Sequence, residues 1–191
     1  MGRSAIFDRT LRQPDARSCG AAALVVARML RDPSYADRAR RHFAHECLAM
    51  HRRVTSLSDV RGRLQVPWPR ALGTPPWALA HQLAWTTGVD YRTRRIHPGR
   101  RVALLADALS AVADDLPVAL YVGNDRLPRH VVLLVDAADD THPAAYEPAS
   151  GELVRFTPQQ FVDATLALGG WSRPWFLVSP RQTLPAGARR R

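Results

Sequence analysis

Lysine is missing from the 191 residues: all 27 basic residues are arginine, asparagine occurs once, at Asn124, and cysteine twice, at Cys19 and Cys47. Alanine and proline are abundant beside arginine, so the missing lysine reads first as a bias of genome composition. Two cysteines allow at most one disulfide, and their settings differ, which makes two reduced thiols the expectation. No apolar run approaches the eighteen or so residues of a membrane span, and MGRSAIFDRTLRQPD at the start holds no hydrophobic stretch of signal-peptide length. A cytoplasmic setting is expected, with export by a signal-independent route left open. Internal repeats and low-complexity tracts are also missing.

What remains suits a soluble globular domain long enough to bury a core without staples. Apolar residues make up 46% and charged residues 23%, and the net charge is +10. That charge raises the question of a polyanion partner. The arginines, however, are scattered in short groups (Arg38, Arg40 and Arg41; Arg94 and Arg95; Arg100 and Arg101), and none is interleaved with aromatics as in a single-strand groove. No obligate nucleic-acid partner and no membrane span are expected.

CGAAALVVARMLR, from Cys19, is apolar almost throughout and longer than most strands, which predicts a buried helix ending before Pro33. A polar helix is expected over SYADRARRHFAHECLAMHRR with Ser34 as N-cap, and another from Thr74 through Pro75 and Pro76 to Gly88. VDYRTRRI reads as a short strand and RVALLADALSAVADDL as an amphipathic helix. After Pro117 the pattern turns to strands: PVALYVG, HVVLLVDAA, a strand–turn–strand in AAYEPASGELVRF, and WFLVSP. TPQQFVDATLAL adds a helix capped by Thr157. Helices first and an antiparallel sheet second predict an α+β domain. The expected divisions are an N-terminal arm over 1–12, the domain over 13–180 and a flexible basic tail over 181–191.

Cys19 stands where a loop enters the first buried helix, where the amide dipoles favour a thiolate, and Gly20 lets another backbone or ligand come close. It is either a packing residue or a nucleophile. A nucleophilic thiol needs an imidazole that takes its proton and returns it to the leaving group. His42, His45 and His51 fall on an arginine-rich helix, His81 lies mid-helix, and His97 and His142 precede prolines in loops. His130 differs in opening the strongest strand. Glu147 ends the next strand, just before Pro148, where antiparallel pairing can bring it beside His130 to orient the ring. It is otherwise an exposed turn carboxylate. Gln13 offers a carboxamide donor ahead of the thiol that, with the Cys19 N–H, could hold an oxyanion.

QPDARSCGAAAL, GTPPWALAHQL, RHVVLLVD, and YEPASGE followed by FTPQQF together resemble the papain-fold cysteine peptidases related to the bacteriocin-processing (double-glycine leader) peptidases, over about residues 13–178. The resemblance implies a papain-like α+β fold and a peptide or protein substrate, and assigns Gln13 to the oxyanion hole, Cys19 to nucleophilic attack, His130 to base catalysis and Glu147 to orienting the imidazole. The family has aspartate or asparagine before the proline; glutamate here is one methylene longer. No cofactor is implied. A same-fold deamidase or acyl transferase effector and a catalytically inactive papain-fold peptide-binding module stay open.

His42, His45, Cys47 and His51 also invite a zinc reading. On one continuous helix the two pairs point to opposite sides, so no metal site is expected.

Overall fold

The computed structural model describes residues 6–8, 10–139 and 141–181; the tail expected over 181–191 lies, from residue 182 on, outside them. Its first helix, α1 (Cys19–Arg31), is alanine-rich and free of breakers after Gly20, and ten of its thirteen residues are buried. Small side chains let it run through the interior against neighbours on several sides. It ends at Asp32, which is extended because a proline follows.

Asp32, not Ser34, caps α2 (Pro33–Arg41): its carboxylate accepts the Tyr35 N–H at 3.0 Å, and the Ser34 hydroxyl donates to the same carboxylate. The single polar helix expected over this stretch is two helices, with α3 (Phe43–Val54) starting after a non-helical His42. Both pack on α1, and Tyr35 bonds Glu46 across the break at 2.8 Å. A straight rod could not lay both apolar stripes against one helix. The break takes His42 off the helix that carries His45, Cys47 and His51. Among the described residues no three His, Cys, Asp or Glu side chains gather in a metal-binding group.

Helix α4 (Pro76–Thr87) begins after Pro75 without a side-chain cap and is closed by Gly88. Thr74, expected as its cap, instead packs its side chain against Gly20. Strand β1 (Tyr91–Arg95) leads through a short 3-10 turn to α5 (Arg101–Ala113). Then follow β2 (Val118–Gly123), β3 (Pro128–Asp136), β4 (Ala144–Glu147), β5 (Glu152–Arg155), α6 (Pro158–Asp163) and β6 (Arg173–Pro180). Helix α6 has its expected Thr157 cap, which Gln160 completes into a capping box, but stops five residues short of Leu168, with Ala164 in the left-handed region. Stopping there frees Leu166 and Leu168 to enter the core.

The six strands form one antiparallel sheet in the order β1-β6-β2-β3-β4-β5. One face packs on α1 and its neighbours through Tyr121, Val131, Leu133 and Tyr146; the other packs on α5 and α6 through Leu120, Val132, Leu134 and Leu177. The molecule is therefore α+β, with the sheet between two helical layers. No helix among the described residues is long and apolar enough to cross a membrane.

Candidate active site

Cys19 is the first residue of α1, so its N–H has no helical acceptor. Ser18 supplies no side-chain cap, its hydroxyl turning back to the Asp15 carbonyl at 3.3 Å, and the first turn carries no acidic residue. The positive end of the helix is left open beside the sulfur. Gly20 is required by a close approach: a Cβ there would stand 2.6 Å from Thr74 Cβ and 2.8 Å from Thr74 Oγ1. Thr74 is locked in turn by Tyr121, whose hydroxyl donates to the Thr74 carbonyl at 2.8 Å. The 73–75 loop is thus clamped against the mouth of α1.

His130 is aimed by an irregularity of β3. Opposite it the pairing shifts, Val122 facing His130 and Gly123 facing Pro128, so Arg129 is one residue too many. Such bulges re-aim side chains and recur beside active sites. Beyond the bulge, His130 near the start of β3 and Glu147 at the end of antiparallel β4 come to the same end of the sheet. There His130 Nε2 lies 2.6 Å from Glu147 Oε1. With Nε2 engaged, Nδ1 is the ring nitrogen left for Cys19, whose side chain lies close enough to raise the pKa of the ring. Both side chains of the pair are buried, at 7% and 4% exposure.

Glu147 is also held from its own turn, Oε1 accepting the Ala149 N–H at 2.8 Å and Oε2 the Ser150 N–H at 2.7 Å. Burial alone would raise its pKa. The hydrogen bond to His130 and these two amides prevail and hold it near 2. For His130 burial alone would lower the pKa, but the hydrogen bonds to Cys19 and Glu147 and their charges raise it to about 9.

Gln13 arrives from the other side. Its segment is pinned to the β4–β5 turn: Leu11 N–H donates to Gly151 O at 3.1 Å, Gln13 N–H to Pro148 O at 2.8 Å, and the Tyr146 hydroxyl to Leu11 O. The carboxamide of Gln13 donates to the Asp15 carbonyl at 2.7 Å, in the loop that leads to Cys19, which leaves its second N–H to offer. The structure thus gathers Cys19, His130 and Glu147 and docks Gln13 on the turn that carries Glu147. Cys47 lies apart as a fully buried free thiol on α3, its pKa pushed up by burial, and Cys19 is free as well.

Three contributors were not singled out from sequence: the clamp by Thr74 and Tyr121, the pin by Tyr146, and Gly169. A Cβ on Gly169 would lie 2.7 Å from His130 Cδ2, 2.9 Å from Nε2 and 3.1 Å from Glu147 Oε1. Its signal was the Gly-Gly pair between Leu168 and Trp171, a hairpin-turn pattern. Two cavities of about 250 and 350 Å³ lie elsewhere, one between Leu30 and Leu134, the other along β1.

No family model and no curated protein matches the chain. Among solved structures, the peptidase domain of Streptococcus ComA, a bi-functional ABC transporter involved in a quorum-sensing pathway, aligns over 89% of this chain and 96% of that domain, at 14% identity and a TM-score of 0.38. This chain is similar to that domain at a level that carries no argument about activity.

Proposed function

We propose that residues 13–180 form a cysteine-peptidase-like unit with a papain-like layout, hydrolysing an amide through Cys19, His130 and Glu147. The observation that carries the reading is a buried chain of groups: a thiol at a helix mouth beside an imidazole that is hydrogen-bonded to a carboxylate, itself held by two backbone amides. A packing cysteine has no need of such a chain. Its electrostatics suit the chemistry, since an imidazolium paired with Glu147 can hold a proton beside the sulfur until a leaving group takes it.

In the proposed cycle the Cys19 thiolate attacks the carbonyl carbon, and the π pair moves onto oxygen. The Cys19 N–H and the second Gln13 amide N–H receive that charge. The tetrahedral intermediate collapses, the C–N bond breaks, and His130 gives its proton to the departing amine. Water, deprotonated by His130, attacks the thioester, and the acid leaves as the thiol re-forms. Glu147 keeps the ring oriented throughout and is one methylene longer than the family's aspartate; the turn amides of Ala149 and Ser150 fix that extra length.

The test is hydrolysis of a fluorogenic peptide panel with intact-mass detection of the thioester. Turnover with a wild-type acyl adduct on Cys19, both lost in Cys19→Ala with unchanged circular dichroism, is the expected outcome; turnover that survives in Cys19→Ala contradicts it. Loss of the Gln13 donor in Gln13→Ala lowers kcat by ~10²–10³. A second reading, a catalytically silent peptide-binding module, is favoured by the burial of Cys19, which is 6% exposed. It predicts peptide binding without any adduct.

A further inference from the structure

The stretch from Leu168 to Trp171 is a two-residue hairpin turn. Leu168 N–H donates to Trp171 O at 3.2 Å and Trp171 N–H to Leu168 O at 3.0 Å, and the two central residues, Gly169 and Gly170, have φ of +60° and +81°. Positive φ at both is what a type I′ turn demands, and glycine meets that demand at least cost. Torsion alone would make the two glycines equivalent. Their surroundings do not: a Cβ on Gly170 meets nothing within 4 Å, whereas one on Gly169 strikes the imidazole edge and the carboxylate oxygen of the site. Leu168 is fully buried in the α5-side core and holds the tip in place.

We propose that this turn is a positioning element of the thiol site, its Gly169 backbone lying over the His130–Glu147 hydrogen bond so as to fix the ring and exclude water from it. The inference rests on the proposed function. The carboxylate is gripped from the β4–β5 turn by Ala149 and Ser150, and Gly169 closes against both the ring carbon Cδ2 and Oε1. Water admitted there competes for Oε1 and raises the local dielectric, which weakens the bond that orients Nδ1 toward Cys19. A methyl group at 169 must displace either the ring or the turn. Gly169 touches no reacting atom; it acts through His130.

The paired glycines supply the control. Gly169→Ala and Gly170→Ala suffer the same kind of backbone strain, but only the first intrudes on the pair. The experiment measures the pH dependence of iodoacetamide alkylation at Cys19, located by peptide mapping, with thermal midpoints as a check on folding. Wild type and Gly170→Ala are expected to react fast at pH 6. Gly169→Ala is expected to react at least tenfold more slowly at pH 6 and to recover only toward pH 8.5, like an ordinary thiol. A Gly169→Ala profile that matches the other two overturns the inference and leaves the proposed function standing. An ordinary-thiol profile in wild type itself overturns both. If Gly169→Ala does not fold, Trp171→Ala, which loosens the turn without adding atoms, is expected to lose the pH 6 reactivity, and an unchanged profile there overturns the inference.

Discussion

At the scale of single residues, two groups of the site have pKa values that move apart on folding. Glu147 falls from 4.5 to about 2 and His130 rises from 6.5 to about 9; burial opposes both shifts, and what prevails is His130 with the Ala149 and Ser150 amides for Glu147, and Cys19 with Glu147 for His130. The lowered carboxylate contributes stability that is present above pH 4.5 and lost as pH falls toward 2. The raised imidazole contributes stability that is complete below pH 6.5 and lost as pH rises through 9. Urea titrations should therefore show the pair's contribution at full strength between pH 4.5 and 6.5, declining on both sides. Glu147→Gln should flatten the acid limb and, as the removal of one partner of a buried pair, cost ~3–5 kcal/mol near pH 6. A variant as stable as wild type at pH 6, with the same acid limb, would show that the bond contributes nothing. The chemical types of these residues were readable in the chain: a thiol before Gly20, an imidazole opening an apolar strand, a carboxylate before Pro148. Their burial was not, because an exposed turn glutamate and a buried one share the same local sequence.

At the scale of elements, the site is assembled by contacts between segments that each look ordinary alone. Helix α1 was legible with both ends because the eleven residues after Gly20 hold no breaker and Asp-Pro follows them. The break at His42 was not legible, since it answers to the packing of α2 and α3 on α1 and not to any local helix breaker. The early end of α6 likewise reflects the tertiary burial of Leu166 and Leu168, which overrides helical periodicity. The bulge at Arg129 arises from pairing with β2 and has no local mark. The clamp between α1 and the 73–75 loop gives a direct test: Gly20→Ala places a methyl against Thr74, which is 4% exposed and cannot swing away. It should cost ~1–3 kcal/mol by chemical denaturation. Much of that cost should return in a Thr74→Gly background. Equal losses in both backgrounds would remove Thr74 as the reason for Gly20.

At the scale of the whole molecule, a net charge of +10 acts on a fold whose edge strand gathers like charge. Arg92, Arg94, Arg95 and Arg100 line one cavity of about 350 Å³, with Asp107 pairing Arg94 at 2.6 Å. Raising sodium chloride from about 10 to 150 mM shortens the Debye length from ~30 to ~8 Å and should raise the thermal midpoint by relieving this self-repulsion; a falling midpoint would mean that ion pairs dominate. The same scale decides the function, since Cys19, His130 and Glu147 come from two layers of the fold and meet only if the sheet is set against α1 as described. The measurement that bears on this most directly is an NMR titration of the His130 imidazole in wild type, Cys19→Ala and Glu147→Gln. A midpoint near 9 is expected in wild type and a lower one in each variant, because the sulfur and the carboxylate both hold the proton on the ring. A wild-type midpoint near 6.5, or one indifferent to the loss of Cys19, would contradict it.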